Sequence, residues 1–432
     1  MRYCSFCKHS EEERNILLEG PNGLYICDTC ISTCNTVISR FNKIPTEQSK
    51  KQKNSKKEKY YPKNIVSMLD KHVIGQERAK KVLAVTIYNH YKQMELKAKN
   101  INITKSNLLL IGPTGVGKTY LLEKISDYLD VPFMTVDISQ ITPRGYRGGD
   151  INDIWVRLFY RCSEEDDDNN IDATVNKMQN AIIYFDEIDK MSPNNSGGSE
   201  LRSFYSAVQN ELLKVLESSE LNFSIEKLGG KIEITLDTSN MLFIFGGAFS
   251  GIDTIIEKRL GLSTKSIGFS INDKKDDNED ISIKNNIISK VTLDDIKEFG
   301  FTPEFIGRIS NVVTLNALTI DDLVNILTKP ENSIIKQYKQ LFLLDNVDLI
   351  FEKTAIQAIA EKAYEKKTGA RALKSIIEEN MMDLMYELPS NKNINKCKIT
   401  KDFINGISPA KLETVEIFNV SKMQSHREAM SD

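Results

Sequence analysis

At positions 112–119 the chain reads Gly112-Pro113-Thr114-Gly115-Val116-Gly117-Lys118-Thr119. The pattern matches the phosphate-binding loop G-x-x-x-x-G-K-[ST], in which backbone N–H groups at a helix N-terminus face phosphate oxygens. It follows the apolar run 108–111 and precedes a helical pattern beginning at Tyr120, the context that the motif requires. The alternative is a chance glycine-rich turn. We predict a nucleotide site in which Lys118 contacts the β- and γ-phosphates and the Thr119 hydroxyl ligates Mg²⁺.

Three further apolar runs, at residues 131–136, 181–185 and 241–245, indicate buried parallel strands. The middle run is followed directly by Asp186 and Glu187. At a strand end behind a phosphate loop, Asp186 would hold Mg²⁺ through water and Glu187 would polarise the attacking water. Such acidic pairs also occur without function. The order of these segments predicts an α/β fold with a parallel sheet flanked by helices.

Five of the seven cysteines lie within the first 34 residues. Cys4 and Cys7 form one C-x-x-C pair and Cys27 and Cys30 form another, a spacing typical of zinc sites. The segment between the pairs is too short to build a core of its own, so a metal ion would stabilise it. Two disulfides are the alternative, which a reducing compartment disfavours. We predict that these four cysteines bind one Zn²⁺ ion and that Cys34 does not.

The composition is that of an ordinary globular protein, with 432 residues and a net charge of −3. There is no basic excess, so nucleic acid is not expected as a partner. No apolar run reaches the roughly 18 residues that a membrane span requires, and the N-terminal residues lack the apolar segment of a secretory signal. We expect a cytoplasmic protein without a membrane partner.

The chain is expected to contain five segments. Residues 1–42 form the zinc-binding module, and residues 43–61, rich in Lys, Gln, Ser and Asn, form a flexible linker. Residues 62–318 form the large domain that carries the phosphate loop. Residues 319–406 form a small domain, and residues 407–432 form a tail. The small domain carries four helical patterns with apolar faces, at residues 321–327, 332–343, 354–366 and 372–386.

Six further motifs follow one another along the chain: Val73 to Lys81 (V-I-G-Q-E-R-A-K-K), Phe185 to Lys190 (F-D-E-I-D-K), Gly246 to Phe249 (G-G-A-F), Ile267 to Phe269 (I-G-F), Pro303 to Arg308 (P-E-F-I-G-R) and Lys367 to Arg371 (K-T-G-A-R). Together with the four cysteines and the phosphate loop, their order and spacing resemble those of the ClpX family of AAA+ unfoldases, which feed proteins to the ClpP peptidase. The resemblance runs from Cys4 to about Pro389. It implies an AAA+ P-loop NTPase domain, a C-terminal small helical domain and an N-terminal four-cysteine zinc module.

The resemblance also implies roles for residues around the nucleotide. Val73 and Ile74 match the apolar box around adenine. Arg308 matches the arginine finger, which reaches the γ-phosphate in a neighbouring subunit, and guanidinium suits that role because it is permanently charged. Arg371 matches the sensor-2 arginine, which touches the nucleotide of its own chain. Either arginine could instead be a structural ion-pair partner.

Two more segments are implied to contact proteins. Tyr146 matches the aromatic residue of the pore loop that pushes on the substrate, although the family reads Gly-Tyr-Val-Gly and this chain has Arg147 after the tyrosine. Ile267, Gly268 and Phe269 match the tripeptide that docks on the peptidase. The stretch 218–231 lacks the Arg-Lys-His triplet that the family carries at the pore entrance. An inert packing role is the alternative for Tyr146, and a place in the domain's own core is the alternative for the tripeptide.

The expected function is therefore ATP hydrolysis coupled to protein unfolding, without peptidase activity of its own. The expected cofactors are ATP, Mg²⁺ and Zn²⁺. A homo-hexameric ring would thread client proteins, with or without adaptors, into a ClpP-type peptidase. The first alternative is a remodelling chaperone that works without a protease. The second is an AAA+ protein acting on DNA, against which the lack of basic enrichment and the Gly-Tyr-x-Gly loop both argue.

Overall fold

The computed structural model describes residues 2–10, 16–41, 58–97, 101, 107–141, 151–163, 170–192, 199–217, 220–227, 230–262, 277–391 and 393–414. The chain divides into two compact units, one ending at Lys59 and the other beginning at Tyr60. No helix in these ranges has the length and apolar content that crossing a membrane requires.

The N-terminal unit is a short hairpin followed by a helix. Strands β1 (Leu17–Glu19) and β2 (Tyr25–Cys27) pair antiparallel, and helix α1 (Asp28–Phe41) follows at once. Cys27 is the last residue of β2, and Cys30 lies in the first turn of α1. The hairpin and the helix thus bring the second cysteine pair to one end of this unit.

The second unit begins with two helices and a five-stranded sheet with its crossover helices. Its elements are α2 (Pro62–His72), α3 (Glu77–Lys97), β3 (Asn107–Ile111), α4 (Lys118–Leu129), β4 (Phe133–Asp137), α5 (Asn152–Ser163), α6 (Ile171–Met178), β5 (Ile182–Asp186), α7 (Ser199–Glu217), β6 (Glu220–Lys227), β7 (Gly230–Asp237), β8 (Leu242–Gly247), α8 (Ile252–Arg259), α9 (Asp277–Ile288), α10 (Leu293–Phe299), α11 (Pro303–Ile306) and β9 (Ile309–Thr314).

The sheet has the strand order β4-β5-β8-β3-β9, and every neighbouring pair is parallel. The prediction of a parallel sheet flanked by helices is confirmed. Every residue of β3 and β8 is buried, which explains their continuous apolar sequences. Because the carboxyl ends of parallel strands meet at one edge, the phosphate loop after β3 faces the end of β5.

Alternate strand residues enter two separate cores, one on each face of the sheet. Leu108 and Ile244 belong to the core that α2, α3 and α4 cover. Leu109 and Phe245 belong to the core that α5, α7 and α11 cover. The first core continues without a break into the C-terminal part of the chain, so that part and this face of the sheet share one hydrophobic core.

The C-terminal part contains helices and a second, small sheet. Its elements are α12 (Ile320–Thr328), α13 (Ile334–Leu344), β10 (Asp348–Phe351), α14 (Lys353–Glu365), α15 (Arg371–Glu387), β11 (Ile394–Ile399), α16 (Lys401–Ile404) and β12 (Lys411–Thr414). All four predicted helices are present. The three strands, paired in the order β10-β11-β12, were not predicted.

A two-stranded hairpin occupies the stretch that lacks the Arg-Lys-His triplet. Strands β6 and β7 pair over their whole length, from Glu220 opposite Asp237 to Lys227 opposite Gly230. Phe223, Ile225, Ile234 and Leu236 are buried against the second core, whereas the other face carries exposed carboxylates. This strict alternation fixes which face points outward.

Candidate functional site

The phosphate loop ends in a left-handed residue that starts a helix. Gly117 has φ +97° and forms the N-cap of α4. Lys118, the first residue of this helix, is buried, and its Nζ donates to the carbonyl oxygens of Gly112 (2.6 Å) and Pro113 (3.1 Å). Burial lowers the pKa of Lys118, and the nearby carboxylates of Asp186 and Asp189 oppose this shift. The Lys118 ammonium group therefore lies inside the loop that would also hold a phosphate group.

Asp186, the predicted magnesium ligand, contacts two hydroxyl groups at the edge of the phosphate loop. The Thr119 hydroxyl donates to Asp186 Oδ2 (3.4 Å), and the Tyr184 hydroxyl donates to Oδ1 (2.9 Å). Burial and the charge of Asp186 raise the pKa of Tyr184, so this hydroxyl remains a donor. A hydroxyl and a carboxylate at the mouth of a phosphate loop are the donor set that Mg²⁺ takes in P-loop NTPases, so the residues fit the ion.

Glu187 follows β5 with its backbone in the left-handed region, at φ +60°. Such a conformation is uncommon for a residue other than glycine and is often found at functional sites. Its side chain forms an ion pair with Lys190, one turn further along. Asp189 lies on the inner side of the same turn, where its Oδ1 accepts from the Ala248 N–H (3.1 Å) and burial raises its pKa.

These residues surround a cavity of about 650 Å³. One wall is the phosphate loop, another is the end of β5, and the third is the start of α15 in the C-terminal part. The lining includes Thr114, Gly115, Lys118, Thr119, Asp186, Glu187, Asp189, Lys190, Ser250, Arg371 and Lys374. Cations from two parts of the chain, Arg371 among them, thus face carboxylates across a space of the size that ligand pockets have.

A second cavity, of about 820 Å³, lies on the other side of the phosphate loop. Its apolar lining includes Val116, Leu318 and Tyr364. Val73 and Ile74, which the resemblance assigns to adenine, are not among the lining residues of either cavity. Their turn is nevertheless tied to the second cavity, because Gln76 makes two hydrogen bonds to the backbone of Asn316, close to Leu318.

Gly369 joins the C-terminal part directly to the phosphate loop. The Ala370 N–H donates to the Gly115 carbonyl oxygen (3.0 Å). Gly369 itself has φ +61°, and a Cβ atom built on it would lie 2.7 Å from the same carbonyl oxygen. Backbone thus meets backbone at this point, which leaves no room for a side chain.

Replacing Gly369 with alanine should lower ATP affinity by about tenfold, because the added methyl group separates the phosphate loop from the start of α15. A matched control is Gly406→Ala, which has a similar φ of +71° but no atom within 4 Å of the added Cβ. Titration with a fluorescent ATP analogue measures both variants. Equal affinities in the two would show that backbone strain, rather than this contact, causes any loss.

Arg308 lies away from both cavities. Its carbonyl oxygen accepts from Asn107 Nδ2 (2.9 Å) at the amino end of β3, whereas the phosphate loop follows the carboxyl end of that strand. Tyr146, Arg147, Ile267, Gly268 and Phe269 lie outside the described residues. Tyr184, Asp189 and Lys190 were not predicted as site residues, although each lies in or beside the F-D-E-I-D-K motif.

The four predicted zinc ligands form one cluster in the N-terminal unit. Their Sγ atoms all lie within 4.8 Å of one another, with 3.9 Å between Cys4 and Cys30 and 3.6 Å between Cys7 and Cys27. Tetrahedral zinc with Zn–S bonds of about 2.3 Å requires S–S distances of about 3.8 Å. The Cys27 N–H also donates to Cys4 Sγ (3.3 Å), which stabilises a thiolate. The set therefore fits Zn²⁺.

Replacing Cys4 and Cys27 together with serine should remove zinc from the protein and unfold residues 2–41, because the unit has little core besides the cluster. Replacing Cys34 with serine should leave the zinc content unchanged, since Cys34 is not part of the cluster. Elemental analysis of the purified proteins measures the metal. Full zinc content in the double variant would contradict the assignment.

Three protein-family models match the chain. The ClpX C4-type zinc finger matches residues 2–40, the AAA domain (Cdc48 subfamily) matches residues 103–312, and the C-terminal D2-small domain of ClpB protein matches residues 318–401. They coincide with the cysteine cluster, the parallel sheet with its phosphate loop, and the C-terminal helices. The chain is accordingly an ATPase and not a peptidase, and its cofactors are ATP, Mg²⁺ and Zn²⁺.

Two curated relatives extend this agreement over nearly the whole chain. The ATP-dependent Clp protease ATP-binding subunit ClpX of Treponema denticola is 40% identical over 425 residues, which are 96% of each chain. The protein of the same name from Borrelia duttonii is 39% identical over 412 residues, which are 93% of this chain and 90% of the relative. With this extent of identity and with all three of its domains matched in order, the chain belongs to the ClpX family.

Proposed function

We propose that this protein is an ATP-driven unfoldase and translocase that delivers unfolded polypeptides to a ClpP-type peptidase. The observation that carries the proposal is the composite cavity, to which the start of α4 contributes Lys118, the end of β5 contributes Asp186 and the C-terminal part contributes Arg371. A nucleotide that contacts both parts favours one arrangement of them, and its hydrolysis removes that preference. Such a change can do mechanical work on a substrate. The relatives' name, Clp protease ATP-binding subunit, supports the choice of partner.

The residues that line this cavity would have separate roles in ATP binding and hydrolysis. Lys118 and Arg371 would neutralise phosphate oxygens, and Thr119 and Asp186 would hold Mg²⁺, which spreads the negative charge when bound. Glu187 would accept a proton from the attacking water, for which its carboxylate must leave the ion pair with Lys190. Adenine would occupy the cavity beside Val116, Leu318 and Tyr364.

A homo-hexameric ring is the proposed assembly. Arg308 lies beside the amino end of β3, whereas the phosphate loop of its own chain follows the carboxyl end, so a finger role requires a neighbouring copy. Large apolar side chains also remain exposed on the C-terminal helices, notably Leu344 on α13 (82% exposed) and Tyr386 on α15 (85% exposed). Exposed apolar residues of this size often mark protein contacts, which is consistent with assembly.

The contacts with substrate and peptidase are proposed from the sequence alone. Tyr146 and Arg147 would line the channel of the ring, and Ile267, Gly268 and Phe269 would dock on the peptidase. Several weak hydrophobic contacts from one ring would then act together through raised effective concentration.

The proposal is tested with the purified protein, a ClpP peptidase and a folded, tagged reporter. We expect degradation of the reporter only when all three and ATP are present. The variant Phe269→Ala should lose degradation while retaining ATP hydrolysis and reporter unfolding. If the original protein unfolds the reporter but never supports its degradation, the protein is instead a chaperone that works without a protease.

A further inference from the structure

Arg308 is held by a carboxylate from another part of the fold. Its Nη2 donates to Glu217 Oε1 at 2.5 Å, and both side chains are about half exposed. Glu217 is the last residue of α7, and Arg308 lies between α11 and β9. The two residues are far apart in the sequence, so only the fold brings them together.

The frame around this pair is rigid. Gln209, a fully buried residue of α7, accepts from the Thr302 N–H (3.0 Å), and Thr302 is the N-cap of α11. The same amide donates to the Met191 carbonyl oxygen (3.1 Å). On the other side, buried Asn107 holds the Arg308 carbonyl oxygen. Buried hydrogen bonds therefore fix both backbones, while the charged tips project from the surface.

The same frame places the backbone of Arg308 far from the phosphate loop of its own chain. Asn107 begins β3 and Ile111 ends it, so four residue steps of about 3.3 Å separate the arginine from the phosphate loop by roughly 13 Å along the strand. That span exceeds the length of an arginine side chain. A phosphate that meets this guanidinium must belong to another copy of the chain.

We propose that Glu217 is a positioning residue for Arg308, holding its guanidinium ready for the γ-phosphate of ATP bound to a neighbouring copy. The inference rests on the proposed function, because it requires both the ring and the finger role of Arg308. A free arginine loses considerable rotamer freedom when it docks, and a partner that holds it beforehand reduces that loss. The contact with Glu217 uses one nitrogen of the Arg308 guanidinium. A guanidinium has five N–H donors, so other donors remain to bind phosphate oxygens.

A surface ion pair with only a structural role has different consequences. Exposed pairs contribute little to stability, so their removal should change neither the unfolding temperature nor the reaction rate. A positioning role instead predicts a loss of rate without a loss of stability. The loss should appear in kcat, because Arg308 would act on the charge that develops during hydrolysis.

The test replaces Glu217 with glutamine in the full chain. We expect kcat for ATP hydrolysis, measured per assembled ring, to fall about fivefold while KM changes less than about twofold. Glu217→Asp should recover part of the rate because it retains a carboxylate. The matched control is Glu211→Gln, which removes an ion pair with Lys214 (2.7 Å) on the same helix and should leave kcat unchanged.

A double-mutant cycle with Arg308→Ala identifies the residue through which Glu217 acts. We expect Glu217→Gln to cause no further loss when Arg308 is already alanine. If Arg308→Ala alone leaves kcat unchanged, the finger role fails and the inference fails with it. If Arg308→Ala lowers kcat but Glu217→Gln has no effect, or the same effect in both backgrounds, the finger role stands and the positioning role is overturned. Loss of the ring in Glu217→Gln, seen by sedimentation, also overturns it.

Discussion

Replacing Glu187 with glutamine should leave ATP binding intact and slow ATP hydrolysis by a factor of about 10² to 10⁴, the usual contribution of a general base. The amide has nearly the shape of the carboxylate but cannot accept a proton from water. Glu187 directly follows Asp186 in the cavity wall, and its backbone has an uncommon left-handed conformation. Phosphate release gives the rate, and titration with a fluorescent ATP analogue gives the affinity.

The same substitution also breaks the ion pair with Lys190, so a second variant must separate the two effects. Lys190→Met removes the ion pair but retains the base, and it should hydrolyse ATP at least about tenfold faster than Glu187→Gln. Equal losses in both variants would assign the effect to the ion pair. Unimpaired turnover by Glu187→Gln would remove this residue as the base.

The phosphate loop and its surroundings could be predicted because their signals are local. The glycines, Lys118 and Thr119 are contiguous, and Asp186 and Glu187 end a single apolar run. Once a parallel sheet is inferred, the meeting of Thr119 with Asp186 follows from the rule that strand ends share one edge. The helices of the C-terminal part could be predicted equally well, because each has apolar residues at helical spacing.

The small C-terminal sheet could not be inferred in the same way. Strand β10 has four residues, and its parallel partner β11 lies beyond two helices. Neither segment contains a signal that identifies the other as its pairing partner, and a short apolar run is as compatible with a helix turn as with a strand. The hairpin β6–β7 is a different case, because its alternating apolar residues and its Gly229-Gly230 pair were visible. The hairpin was nevertheless not predicted.

Side-chain contacts between distant parts of the chain were the part of the site that was hardest to predict from the sequence. Tyr184 belongs to an apolar strand and reads as a core residue, yet its position two residues before Asp186 puts both on one strand face. That spacing was a usable signal for the hydrogen bond between them. The contact between Glu217 and Arg308 had no such signal, because it depends on how α7 packs on α11.

Replacing Lys118 with alanine should weaken ATP binding by a factor of about 10² or more, because hydrogen bonds to a charged group contribute about 1.5–3 kcal/mol each and at least two to phosphate are lost. The ammonium now bonds to two loop carbonyls, so ATP need only displace weak neutral acceptors. Arg371 and Lys374 remain in the cavity, which should preserve residual binding.

The matched control is Lys124→Ala, on the same helix but paired with Asp127 outside the cavity lining. Its ATP affinity should equal that of the original protein.

The pH dependence of ATP affinity gives an independent check on Lys118. Because burial lowers the pKa of Lys118, the ammonium is lost at a lower pH than in an ordinary lysine, and ATP affinity should fall as pH rises through that lowered value. Lys118→Ala should lack this alkaline fall, since it has no ammonium to lose. The same fall in the variant would place the titrating group elsewhere, and unchanged affinity at neutral pH would exclude Lys118 as the main phosphate contact.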